Sequence, residues 1–173
     1  MLSTDQEQIV CVFLSFSIQT MIYVTRKAHF SAAHRLYNPT FSDERNEATF
    51  DKCNNPRGHG HNYTIEVTVA GNPDPLTGYV IDLKKLSAII DEFIVEKVDH
   101  KHLNFDVPEL RGIIPTAENI ALVFWQILES KITEGKLHSL KVFESDNNFV
   151  EYKGEPVEKI MKYEEELTTY AND

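Results

Sequence analysis

Cysteine is nearly absent. The 173 residues hold two thiols, Cys11 and Cys53, and one bridge at most could form in a chain long enough to bury a core without it. A disulfide-stapled secreted scaffold does not fit, and a reducing cytoplasm is the expected compartment. Basic excess is lacking too: 17 Lys and Arg stand against 27 Asp and Glu, a formal net charge of -10. Nucleic acid and anionic membrane both need a basic face, so neither is expected as a partner. A small anionic ligand stays compatible with a local reversal of the field, because Arg26, Lys27, Arg35, Arg45, Lys52 and Arg57 gather early while residues 151–173 carry seven acids against three lysines. Long apolar runs are missing as well. Residues 9–18 (IVCVFLSFSI) are too short to span a bilayer, and they follow Asp5 and Glu7 where a signal peptide would carry Lys or Arg. They read as an added strand or helix, or as sequence upstream of a start at Met21. Repeats, low-complexity tracts and linkers are also absent, so one domain is expected over 21–154, with an extension at 1–20 and an acidic tail at 155–173.

What is present is a chain of short elements. From Met21, MIYVTRKAHFSAAHRL starts with β-branched and aromatic residues, and its small residues predict a strand that breaks near Ser31 to Ala33. The polar stretch 38–56 reads as a long loop with room for one helical turn. HGHNYTIEVTV alternates from His59 to Val69, so Tyr63, Ile65, Val67 and Val69 share a face with His59 and His61. GNPDPLTG is a turn, YVIDL a short strand ending at Asp82 as N-cap, and Leu86, Ile89, Ile90 and Phe93 mark a helix ending near Val98. Thr116 as N-cap, Glu118 in the first turn and the stripe Ile120, Val123, Phe124, Ile127 predict a second helix. LHSLKVFES and NFVEYKG, joined at Asp146-Asn147-Asn148, predict a hairpin. The expected fold is α+β: a four-stranded antiparallel sheet with two helices on one face.

The chemistry is concentrated in KCNNPRGHGHNY, residues 52–63. On a strand, residues two apart point the same way, so His59 and His61 with Gly60 between them form a chelate that suits zinc. A catalytic zinc needs a third protein ligand, and His29, His34, His100, His102 and His138 all qualify by residue type. Cys53 has two readings: a fourth ligand closing a structural site, or a thiol whose pKa a nearby cation lowers so that it acts as base or nucleophile. Asp99 next to His100 could orient an imidazole, and Glu144 extends the face of Leu140 and Val142, placing a carboxylate where apolar residues preceded it.

Five stretches together, FSAAHRL (30–36), CNNPRGHGHNY (53–63), DHKHLN (99–104), PTAEN (115–119) and FESDNN (143–148), resemble the 6-pyruvoyl tetrahydropterin synthases, the tunnelling-fold pterin enzymes, in family order. The resemblance implies zinc held by His34, His59 and His61, and a catalytic Cys53 assisted by Asp99 and His100. It also implies a pterin anchored by Glu144, with Thr116 and Glu118 nearby. It further implies conversion of 7,8-dihydroneopterin triphosphate into 6-pyruvoyl-tetrahydropterin, and a cytoplasmic homohexamer of two stacked trimers whose sheets close a barrel. Arg26, Lys27, Arg35, Lys52 and Arg57 are the candidate triphosphate contacts. Ala117 stands where relatives often carry a hydroxyl. The alternative inside the fold is 6-carboxytetrahydropterin synthase, which also releases acetaldehyde; the five residues between Cys53 and His59 favour the pyruvoyl reading. The alternative of another class is a non-catalytic zinc-stabilised or pterin-binding module.

Overall fold

The computed structural model describes residues 21–158 and 160–163. The apolar run at 9–18, Cys11 and the end of the acidic tail lie outside the described residues. The core of the fold is one antiparallel ribbon: β1 (Ile22–His34) pairs along its whole length with β2 (His59–Gly71), from Ile22 opposite Gly71 to His34 opposite His59. This register sorts the side chains. Phe30, Ala32, Tyr63, Ile65, Val67 and Val69 are buried on one face, while the other face carries polar cross-strand pairs: Thr25 with Thr68, Lys27 with Glu66, His29 with Thr64 and Ser31 with Asn62.

The expected break at Ser31 to Ala33 does not occur. Their small side chains stay in the strand, and Ala32 sits opposite His61 where a larger residue would fill the space beside the imidazole. After β2, residues 79–82 form no strand, because the turn at Asp74 (with Tyr79 and Gly78 bonded back to it) delivers the chain directly to its cap. Asp82 then accepts from the Lys84 amide and starts α2 (Leu83–Ile90). A π turn, Asp91–Val95, and the short α3 (Glu96–Val98) continue it. The buried stripe is Leu86, Ile90, Ile94 and Val98. Spacing by four drifts about 40° per step on an ideal helix, and the wider turn takes up part of that drift. Phe93, expected on the stripe, is half-buried under the Lys131 ammonium instead.

Between β1 and β2 lie α1 (Asp43–Phe50), capped by Ser42, and a 3₁₀ turn, Asp51–Asn54, that carries Cys53. β3 (Lys101–His102) lies parallel to β1 beside Ala32 and Ala33. α4 (Ala117–Glu129) packs Ile120, Phe124 and Leu128 onto the core face of the sheet, and β4 (Lys136–Phe143) and β5 (Phe149–Tyr152) form the predicted hairpin. The sheet order is β3-β1-β2-β4-β5. The α+β class is therefore as expected, with a fifth, two-residue parallel strand that makes the sheet mixed. Two residues of β3 leave too little period for alternation to reveal them.

Candidate metal and ligand site

At the end of the β1–β2 ribbon the register brings three imidazoles together: His34 from β1, His59 opposite it and His61 two residues on. Their ring centroids lie 4.6 to 5.1 Å apart, and one ring nitrogen from each falls within 4.8 Å of the other two. Geometry thus selects His34 from the five candidates. His29 faces the opposite side of the sheet and bonds Thr64, and His138 stacks on Tyr23.

The donor set fits a divalent metal. His34 is fully buried and its Nδ1 sits 2.8 Å from the Pro115 carbonyl, to which it donates, so its Nε2 keeps the lone pair a ligand needs. His59 faces His34 with its Nε2, 3.1 Å away, and Nε2 of His61 is buried with no hydrogen-bond partner, which is costly for a polar atom and would be relieved by an ion among the three rings. Burial, opposed by the Pro115 bond and reinforced by the neighbouring histidines, holds the pKa of His34 down at about 4. Burial and His61 likewise lower that of His59. Both stay in the neutral, ligating form at physiological pH.

A pH effect follows for the metal-free protein. The unfolded chain protonates His34 at its ordinary 6.5 while the folded chain resists until about 4. Stability is therefore lost as pH falls from 6.5 toward 4 and levels off for this group below that, by on the order of 3 kcal/mol at most. Thermal melts of chelated protein between pH 7.5 and 5 should show the midpoint falling, ahead of general carboxylate titration. A flat midpoint over that window would contradict it.

Glu144, one residue beyond β4, points its Oε1 to within 3.4 Å of His34 Nε2 and 3.8 Å of His61 Nε2. Together with Thr116, Glu118, Leu36 and Asn148 it lines a cleft of about 510 Å³ at the N-terminus of α4. Thr116 is also the helix cap, accepting from the Asn119 amide. The cleft is thus walled by a carboxylate on one side and a helix N-terminus on the other, and Glu144 connects it to His34 and His61. Cys53 is half-buried on the 3₁₀ turn, and its carbonyl accepts from the Leu36 amide. Burial pushes its thiol pKa up, and the Glu144 and Asp51 charges push the same way. The lowered thiol pKa expected beside a cation therefore depends on a metal charge at the triad. Cys53 is not in the metal-binding group found among the described residues, which counts against its reading as a fourth ligand.

Asp99 and His100 form their expected pair, Oδ2 to Nδ1 at 2.8 Å, and burial plays little part: His100 is 82% exposed. The Ser31 amide, then His100, hold the Asp99 carboxyl below its usual range. His100 lines another cleft together with Ser31, Gly60, Asn62 and His61 of the triad, while the hydrogen bonds of the pair do not reach Glu144 or Cys53. Of the candidate cations, Lys27 is paired with Glu66 at 2.6 Å, and Arg35 is buried, bonding Asn54 and stacking over Tyr37. Both have structural employment; Arg26, Lys52 and Arg57 are exposed.

One backbone group and one packing contact escaped the sequence reading. The Pro115 carbonyl orients His34 through a backbone group that no side-chain motif displays. His102 is packed so closely against Gly58, which has a φ of +73°, that a Cβ there would lie 2.6 Å from its Nε2. A histidine two residues past His100 was visible as a candidate; its packing was not.

The family model described as 6-pyruvoyl tetrahydropterin synthase matches residues 23–155. A human protein named 6-pyruvoyl tetrahydrobiopterin synthase is 48% identical over 132 residues, covering 76% of this chain and 91% of its own. A solved structure of Caenorhabditis elegans 6-pyruvoyl tetrahydropterin synthase superposes with a TM-score of 0.74 at 37% identity, covering 79% of this chain and 97% of the other. A Rickettsia felis 6-carboxy-5,6,7,8-tetrahydropterin synthase is 30% identical, covering 76% of this chain and 99% of its own.

Proposed function

The chain belongs to the 6-pyruvoyl tetrahydropterin synthase family, and on that premise we propose that it converts 7,8-dihydroneopterin triphosphate into 6-pyruvoyl-tetrahydropterin, eliminating triphosphate as a carbon–oxygen lyase. The observation that carries the proposal is the histidine triad in contact with Glu144, a three-ligand group beside a carboxylate that lines a cleft.

His34, His59 and His61 would hold the metal, zinc in this reading, which when bound supplies Lewis acidity toward the side-chain hydroxyls of the substrate. The residues of the chain do the rest. Glu144 accepts from the amino and ring N–H groups of the pterin, a charge-assisted contact that fixes the heterocycle, with Thr116 and Glu118 forming the other wall. Cys53 takes a proton from the side-chain carbon as the carbon–oxygen bond to triphosphate breaks, and His100, oriented by Asp99, moves protons during the internal redox shift. Lys52 and Arg57, near Cys53 in sequence and exposed, would meet the triphosphate in this reading. Because His100 does not line the Glu144 cleft, the proposal includes a homohexamer, a dimer of trimers, with sites formed at subunit contacts. Such assembly would also cover the sheet edges at β3 and β5. A cytoplasmic location completes it; among the described residues no helix is long and apolar enough to cross a membrane.

Glu144→Gln keeps the shape and removes the charge, so KM should rise roughly tenfold with metal content unchanged. An unchanged KM would remove Glu144 from the pterin contacts. The decisive test incubates metal-loaded protein with 7,8-dihydroneopterin triphosphate and follows pterins and acetaldehyde by mass spectrometry. A 6-pyruvoyl product without acetaldehyde is expected. A 6-carboxy product with acetaldehyde would overturn the reaction while leaving the site in place, and no product at all would favour the binding module.

A further inference from the structure

Beyond the residues matched by the family model, the chain turns back across the molecule. The Tyr152 hydroxyl donates to the Glu155 carbonyl, Ile160 packs against the core, and the Tyr163 amide donates to the Gly112 carbonyl at 2.8 Å. The contact is close on both sides. Gly112 has a φ of +72°, and a Cβ on it would meet the Tyr163 carbonyl oxygen at 2.4 Å, so any side chain at 112 would displace the tail. On its other side the Tyr163 hydroxyl accepts from Asn38 Nδ2 at 3.1 Å.

Both anchors lead to the proposed site. Gly112 opens the short hook that ends at α4. Within it the Thr116 amide and the Asn119 side chain both bond the Ile114 carbonyl, and the Pro115 carbonyl receives His34. Asn38 is locked to the buried Asn46 by two hydrogen bonds, on the segment whose Leu36 amide donates to the Cys53 carbonyl.

We infer that Tyr163 is a positioning residue: it clasps segment 112–116 to the Asn38 loop and so holds Pro115 and Thr116 where His34 and the ligand cleft require them. This rests on the reading of the site given above. A loop fastened at only one end samples open conformations, and its groups meet a ligand less often in the bound geometry, which raises KM rather than lowering kcat.

The test uses the full chain with Tyr163→Ala, Tyr163→Phe, Gly112→Ala and the Tyr163→Ala/Gly112→Ala double variant, measured well below their melting temperatures. Hydrogen exchange is read at the Ile113 and Thr116 amides, and KM and kcat are read for 7,8-dihydroneopterin triphosphate. In Tyr163→Ala, exchange should quicken at least about tenfold and KM rise about fivefold with kcat within about twofold, and Tyr163→Phe, which loses the hydroxyl that Asn38 donates to, should shift both in the same direction by a smaller factor. Gly112→Ala should reproduce Tyr163→Ala, and the double variant should be no worse than the more affected single one, because each opens one end of the same clasp. Unchanged exchange, an effect confined to the melting temperature, or additive losses in the double variant would overturn the clasp. If the unaltered chain turns over no substrate, the functional reading fails, and exchange still decides for or against the clasp.

Discussion

His34→Ala protein should purify with its metal content reduced to near background, and its turnover of 7,8-dihydroneopterin triphosphate should fall by about a thousandfold or more. Lewis-acid stabilisation by a bound metal contributes several kcal/mol to a transition state, and each 1.4 kcal/mol is a factor of ten. Two ligands on β2 remain, but a two-residue chelate without its third partner holds a divalent ion far more weakly. The substitution also empties a fully buried position and leaves the Pro115 carbonyl without its donor, at a cost of about 1–3 kcal/mol for that group alone. His61→Ala serves as the control for misfolding, because the His61 side chain is 26% exposed and bonds no structural carbonyl. It should lose metal and activity to the same degree while melting close to the unaltered protein. Full metal occupancy in either variant would remove the triad as the metal site.

Cys53→Ala should behave in the opposite sense: metal content and melting temperature near those of the unaltered protein, with kcat lower by about 10²–10⁴-fold, the usual contribution of a positioned acid or base. The thiol is half-buried and lies outside the triad, so its loss opens no large cavity and removes no ligand. Burial and the Glu144 charge raise its pKa in the metal-free chain. Alkylation by iodoacetamide should therefore be faster in metal-loaded than in chelated protein at pH 7.5, because a dication at the triad stabilises the thiolate. If Cys53→Ala instead lost its metal, the thiol would be a fourth ligand and the site structural. If it kept both metal and turnover, Cys53 would have no part in the chemistry.

The two variants probe residues that differ in how they were visible. His59 and His61 could be read as a pair from spacing alone, because alternation is a property of an extended backbone over a few residues. Glu144 was readable for the same reason, as the continuation of an apolar face. The third imidazole was not. His29, His34 and His102 are alike as residues, and only the resemblance singled out His34 before the fold was considered. In the fold the choice comes from register: pairing Ile22 with Gly71 puts His34 opposite His59, and a slip of one residue would send it to the other face. The small residues before it misled in the opposite direction, suggesting a broken strand where they make room beside His61.

What the sequence by itself determined is the set of local facts: the strand and helix periods, the caps at Asp82 and Thr116, the hairpin at Asp146-Asn147-Asn148, the His-Gly-His chelate and the α+β class. Each depends on neighbours within a turn or a strand, so the pattern of residue types carries it. The tertiary structure alone decided the rest: the two-residue β3, the π turn that keeps Leu86, Ile90, Ile94 and Val98 on one stripe, the Pro115 carbonyl behind His34, and the return of Tyr163 to Gly112. These depend on backbone groups and on contacts between segments tens of residues apart. Their energies are settled by register and packing, which no local pattern of side chains encodes.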